Sequence, residues 1–276
     1  NPPIVDQFGR TFNYLRIALN EHCNLRCIYC MPEEGIDFRS KDKLLTTKEI
    51  IRLIKTSSQM GVSKIRFTGG EPLLRKDLLE LVEVAKKTPG IESVHLTTNG
   101  LLLSNFIQEL DRAGLSGINI SLDTLDPQKF KIITRREGLD LVLKGLNKAM
   151  ESNIPSIKVN VVAMRDFNDD ELMDFVRLTK DNNITVRFIE LMPFDSHQIW
   201  KTGKFYGAEH IISDIKEQVE ELRPDDGSRT EHHIFQVKGY RGKVAAIPAY
   251  SRSLCGACNR IRITADGKLL NCLYSQ

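Results

Sequence analysis

The stretch YLRIALNEHCNLRCIYC, from Tyr14 to Cys30, reads as a strand that runs directly into a cysteine loop. Tyr14 to Leu19 alternate and carry Arg16 among apolar neighbours, and Cys23, Cys27 and Cys30 then follow at CxxxCxxC spacing with Tyr29 just before the last. Three thiols this close are too few for a closed structural zinc site, which takes four ligands. A cubane iron-sulfur cluster held by three thiolates keeps one iron open, and soft thiolate triads favour that chemistry. A zinc half-site completed by His22, or a disulfide plus a spare thiol, are the alternatives.

Working outward, the strand recurs in alternation with helices. Strands are predicted at Lys64–Thr68, Ser93–Thr97, Gly117–Leu122, Ile157–Ala163 and Thr185–Glu190. A helix is predicted from Thr46 or Thr47 to just before Gly61, opened by a Thr46/Glu49 capping box. Others fall near 77–88, 104–113, 139–152 and 169–180, with apolar residues at three- and four-residue steps. Such alternation argues for parallel pairing with right-handed crossovers. Six β/α units, not the eight of a closed barrel, give the expected fold class: α/β, an incomplete (βα)6 TIM-like barrel over residues 1–195, open along one side. Beyond Glu190 the rhythm breaks. A helical piece near 207–222, a polar turn at 224–228 and a hairpin turned at Asp266 and Gly267 suggest a second subdomain, 196–276, covering the open side.

Each strand also divides by parity into two faces. Leu15, Ile17, Ile65, Phe67, Val94, Leu96, Ile118, Ile120, Val159, Val161, Val186 and Phe188 form a consistently apolar face. The other carries Arg16, Lys64, Arg66, Thr68, His95, Thr97, Asn99, Asn119, Ser121, Lys158, Asn160, Thr185 and Arg187. The apolar face must meet the helices, so the polar face points inward, where unpartnered cations would cost several kcal/mol each. A wet chamber for an anion follows; the alternative is a two-layer sheet with one solvated face. At the carboxyl end of the second strand, Gly69 and Gly70 allow close backbone approach to a ligand, followed by Glu71 and Pro72. Thr97 and Ser121 are polar strand ends beside it. Neither a P-loop nor a GxGxxG nucleotide motif is present.

The chain has 276 residues, 41% hydrophobic and 27% charged, with 39 Lys and Arg against 36 Asp and Glu. That balance is too slight for wholesale nucleic-acid binding. No apolar run approaches a membrane span and the start has no signal-peptide pattern, which suggests a cytoplasmic chain, or one of the mitochondrial matrix if eukaryotic. The six cysteines fall in two groups of three, which favours two metal sites over disulfides. In the second group Cys255 and Cys258 form CxxC and the hairpin returns Cys272 beside them, with a zinc knuckle completed by His232 or His233 as the alternative. Arg260 and Arg262 share one strand face beside these thiols and suit a phosphate-bearing substrate.

The cysteine loop and Gly69–Pro72 resemble the radical S-adenosylmethionine superfamily. Leu15–Ile17, Cys30–Glu33, Lys64–Pro72, Asn119–Leu125, Val186–Glu190 and Cys255–Gly267 resemble, more closely, the GTP 3′,8-cyclase family of molybdenum cofactor biosynthesis, over essentially the whole chain. That resemblance implies a lyase converting GTP to (8S)-3′,8-cyclo-7,8-dihydroguanosine 5′-triphosphate, the first step towards molybdopterin. It implies two 4Fe-4S clusters and S-adenosyl-L-methionine as cofactors. The first cluster, on Cys23, Cys27 and Cys30, would initiate radical chemistry, and the second, on Cys255, Cys258 and Cys272, would hold the guanine. Arg16, Lys64, Arg66, Lys158, Arg187, Arg260 and Arg262 match GTP-binding positions. Tyr29, Gly69, Gly70, Glu71, Thr97, Ser121 and Met192 match S-adenosylmethionine contacts. The implied partners are an electron donor and a downstream pyranopterin monophosphate synthase, with no nucleic acid or membrane and a homodimer left open. The family continues past its last cysteine to a tail ending in two glycines, whereas this sequence stops at Gln276. Alternatives are a peptide-modifying maturase with an auxiliary cluster, a two-cluster electron-transfer or metal-sensing protein, and a zinc-stabilised binding module.

Overall fold

The structure is a computed structural model describing residues 3–192, 203–225, 233–251, 256 and 258–272. Its strands are β1 (Tyr14–Ala18), β2 (Lys64–Thr68), β3 (Ser93–Thr98), β4 (Gly117–Ser121), β5 (Ile157–Ala163), β6 (Thr185–Glu190), β7 (Leu222–Pro224), β8 (His233–Val237), β9 (Lys243–Ile247), β10 (Arg260–Ile263) and β11 (Leu269–Leu270). Among the described residues they form one sheet in the order β11-β10-β1-β2-β3-β4-β5-β6-β9-β8-β7. Pairing is parallel from β10 through β9 and antiparallel only at the two ends.

The helices are α1 (Thr47–Gln59), α2 (Leu78–Lys87), α3 (Leu103–Arg112), α4 (Pro127–Thr134), α5 (Leu139–Glu151), α6 (Leu172–Arg177) and α7 (Ala208–Gln218). The Thr46/Glu49 capping box opens α1, with Thr46 N donating to Glu49 Oε2 at 2.8 Å. Helix α4 was not expected from the sequence, although its start signal is there. Asp126 accepts from Gln128 N and Lys129 N at 2.7 and 2.8 Å, and Pro127 takes the first helical position.

The apolar strand face is the core: Ile17, Ile65, Phe67, Val94, Leu96, Ile118, Ile120, Val159 and Val186 have no exposure, and Ile54, Leu81, Leu103 and Val142 reach them from the helices. Burying each such side chain contributes roughly 1.5–3 kcal/mol. The alternate face is recessed, with Arg66 and Arg187 only 2% and 4% exposed and Arg16, Lys64, Lys158 and Thr185 half-buried, so none of these side chains stands free in solvent.

Among its described residues, the carboxyl-terminal segment does not build a sheet of its own. It lengthens both edges of the six-strand set. β9 lies against β6 and leads the β7–β8–β9 meander, whereas β10 lies against β1 and turns through Asp266 and Gly267 into β11. Seven residues, and so eight Cα–Cα steps, separate Ser251, tied to the end of β6, from Asn259, whose carbonyl accepts from Tyr14 N at 3.3 Å. Fully extended, those steps span at most about 29 Å, the same as the six strand spacings between β6 and β10 would take in a flat sheet. Arg66 and Arg187, almost unexposed on the polar face, place that face in the floor of a trough.

Candidate active site

The cysteine loop is held from three sides. Behind it, Gly70 N donates to Asn20 O at 3.0 Å, Glu71 N to His22 O at 2.7 Å and Asn20 Nδ2 to Glu71 O at 2.9 Å. On its flank, Arg26 N and Ile28 N donate to the last carbonyls of α4, on Thr134 and Ile133, at 3.0 and 2.9 Å. Arg135, in left-handed backbone at φ 55°, donates through Nη1 to Arg26 O and Met31 O at 3.0 and 2.9 Å. Beyond β4, Asp123 Oδ2 accepts from Tyr29 Oη at 2.6 Å and Oδ1 from Val162 N at 2.7 Å. Burial pushes the Asp123 carboxyl up to about 6 against both bonds.

Burial also raises the Cys23, Cys27 and Cys30 thiols, and Cys27 is raised further by Asp123, Cys30 and Cys23. Cys23 Sγ accepts from Leu25 N at 3.5 Å and from Asn99 Nδ2 at 3.7 Å. Among the described residues no three His, Cys, Asp or Glu side chains close on a single ion. A cubane places its cysteines on separate irons, so Cys23, Cys27 and Cys30 need not close on a single ion to hold one. The mutual penalty on three thiolates is what a cationic iron centre relieves.

Gly69 and Gly70 are required by backbone contact. A Cβ on Gly69, at φ +145°, would stand 2.7 Å from Asn20 O, and one on Gly70 would stand 2.1 Å from His22 O. Beside Gly69, Asn20 Oδ1 is buried without a hydrogen-bond partner, an acceptor suited to an amino group. Glu71, placed by the sequence among cofactor contacts in a motif that acts through its backbone, spends its side chain within the chain. It is 0% exposed and accepts from Leu73 N, Thr98 Oγ1 and Asn99 N at 3.0, 2.8 and 2.7 Å. Its carboxylate is consumed in tying the second strand's loop to the third.

Register arranges the polar residues in rows across the trough. Arg262, Arg16, Arg66 and His95 are successive Cα partners on β10, β1, β2 and β3. Thr97, Asn119, Lys158 and Thr185 form a second row, and Ser121, Asn160 and Arg187 a third. Arg187 donates through Nε and Nη2 to Asn160 Oδ1 at 2.8 and 2.6 Å, and Arg66 Nη1 donates to Thr97 Oγ1 at 3.3 Å. Tyr14, which sequence reasoning did not single out, organises the first row. Its buried ring has Lys64, Arg16 and Arg66 at 4.7, 5.3 and 5.8 Å from its centroid, and its hydroxyl accepts from Arg66 Nε. Its parity with Arg16 was the available signal.

Arg16 Nε is buried without a hydrogen-bond partner. Burial, then the charges of Arg16 and Arg260, push Arg262 down to about 10, opposed by Cys272 and Cys258. At Cys258 burial raises the thiol, but the Arg260 N–H and the Arg260 and Arg262 charges outweigh it and lower the value. The structure thus brings Arg16, Arg260, Arg262, Cys258 and Cys272 together, while Cys255 lies outside the described residues. Met192 is half-buried after β6, next to Leu191, which shares a small apolar cluster with Ile133, Met164 and the loop residues Ile28 and Tyr29.

An open parallel barrel whose first strand ends in three cysteines and whose second ends in a paired glycine defines the radical S-adenosylmethionine class. Residues 17–179 match the Radical SAM superfamily and residues 184–276 match Molybdenum Cofactor Synthesis C. Within that class the chain belongs to the GTP 3′,8-cyclase family. It is 48% identical over 271 residues to the GTP 3′,8-cyclase of Chlorobaculum tepidum, covering 98% of this chain and 81% of that one. It is 47% identical over 273 residues to molybdenum cofactor biosynthesis protein 1 of Bos taurus, covering 98% of this chain but only 43% of that longer protein. The crystal structure of Streptococcus suis SuiB superposes with a TM-score of 0.68 at 16% identity, covering 95% of this chain and 60% of that one, a likeness of fold alone. No helix among the described residues is long and apolar enough to cross a membrane.

Proposed function

We propose that this chain is a GTP 3′,8-cyclase, joining ribose C3′ of GTP to guanine C8 as the first step of molybdenum cofactor biosynthesis. The observation that carries the reading is the cation cluster at one end of the trough. Arg16 has a buried, unpartnered Nε, and Arg262 is driven down to about 10 by burial and by its neighbours Arg16 and Arg260. Mutually repelling half-buried cations are stabilised by a polyanion, and a triphosphate supplies one. Arg66 and Lys64, ordered around Tyr14, and Arg187, oriented by Asn160, extend the same lining. Lys158 stands in the middle row.

Cys23, Cys27 and Cys30 would hold the first cluster, with Asn20 Oδ1, the Gly69–Gly70 backbone, Thr97, Ser121, Tyr29 and Met192 around S-adenosylmethionine. A cluster and S-adenosylmethionine held by these residues would supply one-electron cleavage of the sulfonium and so the radical chemistry at ribose C3′. Cys258 and Cys272, with Cys255, would hold a second cluster. Arg260 favours the Cys258 thiolate that such a cluster requires. This reading requires an external electron donor and a downstream pyranopterin monophosphate synthase to take the product.

Anaerobic reaction of the reconstituted protein with GTP, S-adenosylmethionine and a reductant is the test, with product analysis for 5′-deoxyadenosine and the cyclised nucleotide. Arg260→Ala is expected to weaken GTP binding while sparing S-adenosylmethionine cleavage. Colourless protein with stoichiometric zinc, or equal loss of both properties in Arg260→Ala, refutes the assignment.

A further inference from the structure

Glu190 ends β6 on the helix-facing side of the sheet, two residues beyond Phe188 and four beyond Val186, and is 2% exposed. A carboxylate is out of place among core positions, and its partners explain it. Oε1 accepts from Ala208 N at 2.9 Å and from Ser251 Oγ at 3.2 Å, and Oε2 accepts from Tyr250 N at 2.9 Å and Ser251 N at 2.8 Å. Helix α7 begins after Gly207, which offers no side-chain cap, so Glu190 supplies the missing acceptor and places negative charge at the helix start. The other donors belong to the turn from which the chain departs towards Cys255 and Cys258. Its far end is fixed separately on β1, where Asn259 O accepts from Tyr14 N at 3.3 Å and Asn259 Nδ2 donates to Asn13 Oδ1 at 2.6 Å.

We propose that Glu190 is a positioning residue that moors the departing end of the second cysteine segment to the barrel, and so positions Cys258, through which the proposed second cluster would hold the nucleotide. Its geometry is independent of the nucleotide reading, and only its consequence for GTP rests on that reading. Three main-chain N–H groups and a hydroxyl converge on two oxygens that only accept. A glutamine in the same place turns an N–H towards at least one of those donors. A side chain needed merely to fill the core would be apolar. Releasing this end leaves the β1–β10 pairing and the first cysteine loop untouched, so the nucleotide side weakens alone.

The test uses the full chain, with Glu190→Gln and the shorter Glu190→Asp beside it. Hydrogen exchange on the iron-free protein is expected to be about tenfold faster in peptides covering 204–212 and 246–260, the consequence of an unmatched buried acceptor site, with peptides covering 14–31 unchanged. In reconstituted protein, GTP affinity is expected to fall about tenfold while S-adenosylmethionine affinity holds. Unchanged exchange at 246–260, or parallel loss at 14–31 and of S-adenosylmethionine binding, overturns the proposal in favour of no role or a merely structural one. Should Glu190→Gln fail to fold, Glu190→Asp is read by the same criteria. A wild-type protein that does not bind GTP counts against the cyclase reading, and the exchange contrast still decides the mooring.

Discussion

Gly70→Ala isolates the contact between the glycine pair and the cysteine loop. Gly70 is not among the positive-φ residues, so alanine meets no conformational penalty of its own. Its Cβ, however, would stand 2.1 Å from His22 O, 2.4 Å from His22 C and 2.5 Å from Glu21 O, all backbone atoms. Relief needs a shift of about 1 Å, since carbon and oxygen do not pack closer than about 3 Å. That shift breaks the Gly70 N to Asn20 O bond of 3.0 Å and the Glu71 N to His22 O bond of 2.7 Å. Two buried groups left unmatched cost about 1–3 kcal/mol each, so we expect about 3 kcal/mol of lost stability or more. For a chain of this size that is a fall of about 6–12 °C in Tm. Gly239→Ala is the control, with φ +79° and nothing within 4 Å, so only left-handed strain of about 1–2 kcal/mol applies. Thermal unfolding of the iron-free proteins, followed by S-adenosylmethionine binding after reconstitution, makes the comparison. If Gly70→Ala melts no lower than Gly239→Ala and binds S-adenosylmethionine normally, the reasoning about this contact is wrong.

Asp123, at about 6 in the folded protein and 3.8 ordinarily, contributes stability that is full below about 4 and lost as pH rises through about 6. Urea titrations should therefore show the stability of wild type minus Asp123→Asn falling across that window by about 2–3 kcal/mol, and a flat difference is inconsistent with this. Arg262→Met should raise the Tm of the nucleotide-free protein by relieving repulsion from Arg16 and Arg260, while inorganic triphosphate should stabilise wild type more than the variant. Arg135→Ala retains the left-handed strain and loses the bonds to Arg26 O and Met31 O, whereas Arg135→Gly loses the bonds alone. The glycine variant should be the more stable of the two by about 1 kcal/mol in denaturant unfolding.

The six parallel strands were legible because each carries the same two-residue alternation, whereas their register is read from the structure. The capping box and the Asp266–Gly267 turn were legible because they are local chemistry. The pairing of β9 with β6 and of β10 with β1 was not, because it joins residues far apart in sequence and leaves no local period. Arg16 and Arg66 could be placed by parity, but an aromatic such as Tyr14 reads as core on either face. At Glu71 the motif points to a ligand through its backbone, and the separate job of its carboxylate, serving three donors of its own chain, left no local signal. Asp123 and Glu190 went unseen because a single acid at a strand end looks like a loop residue until its donors are known.

The pairing of β1 with β10 also bears on synthesis. β1 lies near the amino terminus and its outer neighbour begins only at Arg260, so at ribosomal rates it waits on the order of ten seconds or more with one edge unmatched. An unmatched strand edge invites pairing with other chains, and a charge in mid-strand discourages it. Arg16, centred in β1, is such a charge. We expect chains arrested before Arg260 to self-associate on translating ribosomes, and Arg16→Val to worsen this, a burden on biogenesis separate from anything the residue does for nucleotide.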